Sequence, residues 1–108
     1  MSDEYQLPIP PSFIALYLSA GRVKPTAPRD EIAARYEFCE DLASALVEQA
    51  KTKVWELGVA EADVLERIHR GLLVPASALT FAEARWVMRR LAELLDWTLP
   101  PSALDAPG

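Results

Sequence analysis

The sequence predicts an all-α protein, a small helical bundle built on one long central helix, and three observations predict it. Apolar residues recur at steps of three and four over residues 28–57, PRDEIAARYEFCEDLASALVEQAKTKVWEL, the spacing that keeps side chains on one stripe at about 100° per residue. Two shorter stretches, about 61–70 and 81–96, repeat that spacing. The second opens on Thr80-Phe-Ala-Glu83, a capping-box pattern that marks a helix start.

Taken in order, residues 1–11, MSDEYQLPIPP, hold three of the nine prolines, so an extended N-terminal segment is expected. Packing on the domain that follows is the default for such a segment, and docking on a partner as a proline-rich ligand is the alternative. A single helical domain is expected over 12–97. It begins with a short apolar helix over 12–20, with Pro11 and Ser12 as opening residues and Gly21 as the stop. The run 13–18 is core in either a helical or an extended form. Residues 22–27 form a loop.

The long helix carries Ile32, Tyr36, Cys39, Ala43, Leu46, Ala50, Val54 and Leu57 on its central stripe. Phe38, Leu42 and Ala45 widen this stripe on one side and Val47 on the other, to an arc of roughly 200°. Glu37, Asp41, Ser44, Glu48 and Lys51 make the opposite, solvated face. Pro28 in the first turn with Asp30 and Glu31 after it marks the start, and Gly58 is a left-handed stop. Such a rod is about 45 Å long, whereas a compact sphere of this mass is about 34 Å across. The helix should bend, overhang, or be completed by a second subunit.

The second helix has Glu61 and Asp63 in its first turn and Arg67 and Arg70 in its last, which suits the helix dipole. Val64, Leu65, Ile68 and Leu72 form its buried side, with Gly71 as a left-handed cap. The third helix buries Phe81, Ala84, Val87, Met88, Leu91, Leu94 and Leu95. The tail over 98–108 has no period and two adjacent prolines, and should leave the domain or fray.

Composition narrows the function classes. The 51% hydrophobic content suits a folded domain of 108 residues. A net charge of -5 argues against a nucleic-acid footprint over the whole surface. One cysteine excludes an internal disulfide and one histidine a His-rich metal site. The N-terminus is acidic where a signal peptide is basic, and no apolar run approaches a membrane span. A cytoplasmic protein without cofactor or membrane contact is the expectation.

Cys39 and His69 are the residues available for a nucleophile pair. Cys39 lies mid-stripe, where a thiol is ordinarily an inert small hydrophobe, and His69 only flanks its buried side. No catalytic residue is therefore assigned. Glu37, Glu40 and Asp41 diverge around the helix and are read as a solvated face, not a cation site. Arg35 lies in the apolar sector. It pairs with Glu31 one turn earlier or joins two helices from a buried position. Arg85, Arg89 and Arg90 suggest phosphate contacts by helices 61–70 and 81–96, the DNA-binding alternative. Against it, about nine residues join those helices where a helix-turn-helix uses three or four, and the arginines are dispersed, Arg85 and Arg90 by about 140°.

The tryptophans carry more weight. Trp86 falls about 160° from the third helix's core stripe, Trp97 lies near the same azimuth, and Trp55 is on the polar side of the long helix. Off-core aromatics on two helices suggest a second packing surface. Trp86, Trp97, Trp55 and Arg90 are accordingly the interface candidates, in a homodimer centred on Trp86. Cover by the chain's own terminal segments is the competing account for Trp86.

PPSFIALY, then PR before RYEFCEDLA, then VLERIHRGL and ARWVMRRLAELLDW resemble a small proteobacterial family of about this length, some of whose members carry the label ATPase with chaperone activity. The resemblance spans residues 10–97 and implies an accessory role beside a chaperone machine. The motor itself would need GxxxxGK[ST], and Gly21, Gly58, Gly71 and Gly108 form no such loop. The function expected is a non-catalytic, self-associating helical interaction module with a protein partner or client, a chaperone-associated adaptor.

Overall fold

The computed structural model describes residues 8–18 and 25–100. Residues 1–7 of the proline-rich segment, 19–24, which cover the end of the expected first helix, its stop Gly21 and the start of the loop, and 101–108 of the tail lie outside them. Among the described residues the chain forms four α-helices, α1 (Pro11–Ile14), α2 (Arg29–Leu57), α3 (Glu61–Leu72) and α4 (Phe81–Leu95). None is long and apolar enough to cross a membrane.

The expected N-terminal helix is shorter than its apolar run. Four α-helical residues give way to a 3₁₀ turn, Ala15–Tyr17, and Leu18 is extended and bridged to Pro25. The turn is pinned at its end, because the Thr26 N–H donates to the Tyr17 carbonyl at 2.6 Å. Residues 8–18 thus form a strap that contains one short helix. Phe13 anchors it, fully buried against Tyr17, Tyr36 and Trp86 with ring centroids 5.1 to 5.7 Å away.

α2 begins one residue after Pro28, which acts as the N-cap, and ends on Gly58 in the left-handed conformation with φ 64°. Its buried stripe is Ile32, Cys39, Ala43, Leu46 and Ala50. Three of these are small, so α4, its main neighbour, approaches closely with Ala84, Val87, Met88 and Leu91. The arc is narrower than the sequence suggests. Phe38 and Ala45 are exposed and Leu42 is half-buried, while the Arg35 guanidinium lies 4.9 Å from the Phe38 ring centroid. Within the single chain the long helix overhangs its neighbours. In residues 51–57 only Val54 is half-buried, and the molecule measures 48 × 34 × 25 Å.

α3 runs two residues past its expected end, so Gly71 is helical and not a cap. Extension brings Leu72 into the core. The cap comes instead from Ser77, whose hydroxyl donates to the Leu72 carbonyl at 2.7 Å. The left-handed residue in this connection is Ala78, φ 62°.

α4 starts where its capping box requires. The Thr80 Oγ1 accepts from the Glu83 N–H and the Glu83 carboxylate from the Thr80 N–H, both at 3.0 Å. It ends in a Schellman motif: Asp96 is left-handed, its N–H donates to Glu93, and the Trp97 N–H reaches back to the Ala92 carbonyl at 2.9 Å. Two members of its expected core stripe lie outside, Phe81 at 58% exposure and Leu94 at 39%. The core turns toward Trp86 because the strap provides a wall on that side. Salt bridges from Arg35 to Glu83 and from Arg90 to Glu40 advance together along both helices, so α2 and α4 run parallel, and α3 packs against both.

Candidate functional site

The strap, α2 and α4 meet along one seam, fastened at two places by arginine. At the first, the Glu83 carboxylate accepts four hydrogen bonds: from Arg35 Nε at 2.9 Å and Nη2 at 2.8 Å, from Tyr17 Oη at 2.8 Å, and from the Thr80 N–H. Arg35 Nη2 also donates to the Ala78 carbonyl at 2.8 Å. A capping residue has become the junction of the strap, α2, the α3–α4 connection and α4. Burial pushes the Glu83 carboxyl up, but Arg35, the Thr80 N–H and Tyr17 outweigh it and hold the group below the usual carboxylate range. The Tyr17 phenol is pushed up to about 12, by burial and by donating to this carboxylate. Arg35 therefore joins helices, as in the alternative to the Glu31 pair, but from a half-exposed and not a buried position.

At the second place Arg90 donates from Nε and Nη2 to Glu40, at 2.9 to 3.1 Å, and from Nη1 to Glu93 at 3.1 Å. Glu40 is therefore part of this lock, not of an undivided solvated face with Glu37 and Asp41.

Between these places lies Trp86. The expectation of an outward, interface tryptophan is corrected: its ring is 8% exposed, edge-on to Phe13 and Tyr36, and its Nε1–H donates to Ser12 Oγ at 3.0 Å. A buried indole needs a polar partner for its N–H and an apolar cover, and the strap supplies both. Beside it opens a groove of about 550 Å³, walled by Pro10, Ser12 and Leu16 of the strap, by Tyr36 and Glu40 of α2, and on α4 by residues from Ala82 to Glu93 that include Arg85, Arg89 and Arg90.

The four interface candidates are thus divided. Trp86 and Arg90 meet at this groove, as internal contacts. Trp97 is half-buried against the core after the Schellman turn. Trp55 stands at 87% exposure on the α2 overhang, near exposed Leu57. Sequence reasoning missed Ser12, Leu16 and Tyr17 as groove and junction residues. The signal available was the hydroxyls of Ser12 and Tyr17 within an otherwise apolar run.

Cys39 and His69 are both buried, His69 more deeply than its flanking position suggests. Burial, then the Glu83 charge, pushes the Cys39 thiol up to about 12. Burial and the Arg85 charge lower the His69 pKa. An acidic nucleophile and a basic imidazole are what a catalytic pair requires, and both shifts run the other way. Among the described residues no group of three His, Cys, Asp or Glu side chains is placed to hold a metal ion.

Comparison with family models, curated proteins and solved structures finds no match to this chain.

Proposed function

We propose that this chain is a non-catalytic helical interaction module that self-associates, serving a chaperone machine as adaptor or accessory. The observation that carries the self-association is Trp55. It lies 87% exposed on a helix held rigid along its other half by α4. A large indole in water on a preorganised surface is the kind of side chain that anchors protein interfaces. Its place on the overhang, away from the strap, leaves it accessible to a second chain. The chaperone connection is supported by the sequence resemblance.

The alternative, duplex DNA contacted by α3 and α4, has exposed Arg89 in its favour. Against it stands the strap, whose Ser12 is bonded to Trp86 on the outward side of α4, where a recognition helix would need to be open. A mobility shift that weakens steeply with salt would favour this reading instead.

Sedimentation equilibrium tests the self-association. Wild type at tens of micromolar should sediment as a dimer, and Trp55→Ser as a folded monomer with an unchanged circular dichroism spectrum. A wild type that remains monomeric at those concentrations overturns it.

A further inference from the structure

The groove beside Trp86 has no role in self-association through Trp55 and is lined by both apolar and charged side chains. We propose that it receives an acidic segment of a partner polypeptide, with an apolar side chain against Leu16 and Trp86 and a carboxylate at Arg89.

Volume is the first support. About 550 Å³ lies within the range of pockets that enclose small ligands, enough for a few residues of extended chain. The walls are the second. Leu16 and Pro10 on one side and the Trp86 ring on the other give an apolar surface of fixed shape, because the indole is held by Ser12 and by the rings of Phe13 and Tyr36. A preorganised wall reduces the ordering cost of binding.

Charge supplies the third support, and it selects the ligand. The chain as a whole carries -5, but three arginines of α4 line this groove. The two carboxylates that also line it, Glu40 and Glu93, are both bonded to Arg90. Arg89 is exposed with no ion pair among the described residues. Arg85, one turn before it, is engaged within the fold and adds its charge to the same rim. On an otherwise acidic protein the exposed Arg89 guanidinium favours one docking position for a carboxylate. Guanidinium groups also pair with carboxylates in a fixed two-pronged geometry.

The probe is a fluorescein-labelled peptide, Ac-EELEE, with Ac-KKLKK as its charge-reversed counterpart, titrated into the full chain. Binding is followed by anisotropy and by the nitrogen–proton resonances of the Trp86 indole and the arginine side chains. The acidic peptide should bind in the range of about 10 to 100 μM, shifting the Trp86 indole N–H and weakening as salt is raised. Arg89→Glu, at an exposed position, should keep the fold, weaken the acidic peptide by about tenfold or more, and gain affinity for the basic one. Trp55→Ser should bind the acidic peptide as wild type does, which separates this proposal from self-association. The proposal is overturned by equal affinity in wild type and Arg89→Glu, by shifts confined to residues away from the groove, or by no binding up to about 1 mM. It is also overturned if a duplex oligonucleotide, but not the acidic peptide, produces the shift at Trp86.

Discussion

Arg35 and Glu83 hold each other from opposite sides of the surface: the arginine side chain is 32% exposed and its carboxylate partner 4%. The two ends of this salt bridge are therefore unequal. Removing the carboxylate frees a guanidinium that water can reach. Removing the guanidinium leaves a buried charge held only by Tyr17 and a backbone N–H. Arg35→Ala should cost about 3 kcal/mol at neutral pH and Glu83→Gln about 1 to 2 kcal/mol. Urea midpoints compare them, and equal losses would show that solvent reaches the carboxylate.

The same carboxylate sets part of the acid response. The Glu83 pKa is lowered in the folded state, so its contribution is present above the ordinary carboxylate value of about 4.3 and is lost as pH falls through the folded value. His69 acts over a higher window. Its folded pKa is lowered from 6.5, so on acidification the unfolded chain takes up the proton first, and stability falls from about pH 6.5 downward. Unfolding free energy measured against pH should thus decline in two steps. His69→Asn should abolish the upper step and Glu83→Gln the lower. A wild-type profile flat from pH 7 to about 5 would remove the His69 assignment.

Trp86 is held by the strap, so its loss is expected to appear as instability. Trp86→Ala should cost about 3 to 5 kcal/mol, and Ser12→Ala about 1 kcal/mol, with no change in sedimentation for either folded variant. A stable Trp86→Ala chain with altered association would restore the interface role.

Cys39 is fully buried among core side chains, with its thiol pushed up to about 12. Labelling by a thiol reagent at neutral pH should be far slower in the native protein than in denaturant. Fast native labelling would contradict this burial.

Ala78 sits at φ 62° with its carbonyl accepting from Arg35. A Cβ is disfavoured in that conformation and glycine is not. Ala78→Gly should raise stability by about 1 kcal/mol. A loss instead would mean that the Arg35 contact, not backbone strain, dominates at this site.

The elements that the sequence reveals are those set by neighbours in the chain. The ends of α2 follow from Pro28 and Gly58, and the start of α4 from Thr80 and Glu83, because capping chemistry acts over one turn. Leu91, read as core, is fully buried, while Leu42 is only half-buried, since periodicity gives azimuth and not which neighbour fills it. The groove was illegible for the same reason. Periodicity puts Trp86 outside the core stripe, but the strap, 74 positions earlier, covers it and makes it part of the core. The doubled use of Glu83, as local cap and as partner of Arg35 across 48 positions, leaves no periodic trace.

The strap's side-chain ties to α4, Ser12 to Trp86 and Tyr17 to Glu83, close loops of 74 and 66 residues, whereas each helix is held by bonds four residues apart. With α2, α3 and α4 packed, releasing the strap frees only the short stretch that precedes α2, and the strap offers few backbone hydrogen bonds of its own. Its release is therefore a partial opening of the native state that leaves α2, α3 and α4 intact. The backbone amides of Phe13 and Ile14, bonded only to the Pro10 carbonyl, are the ones to exchange with solvent deuterium ahead of those in the bundle.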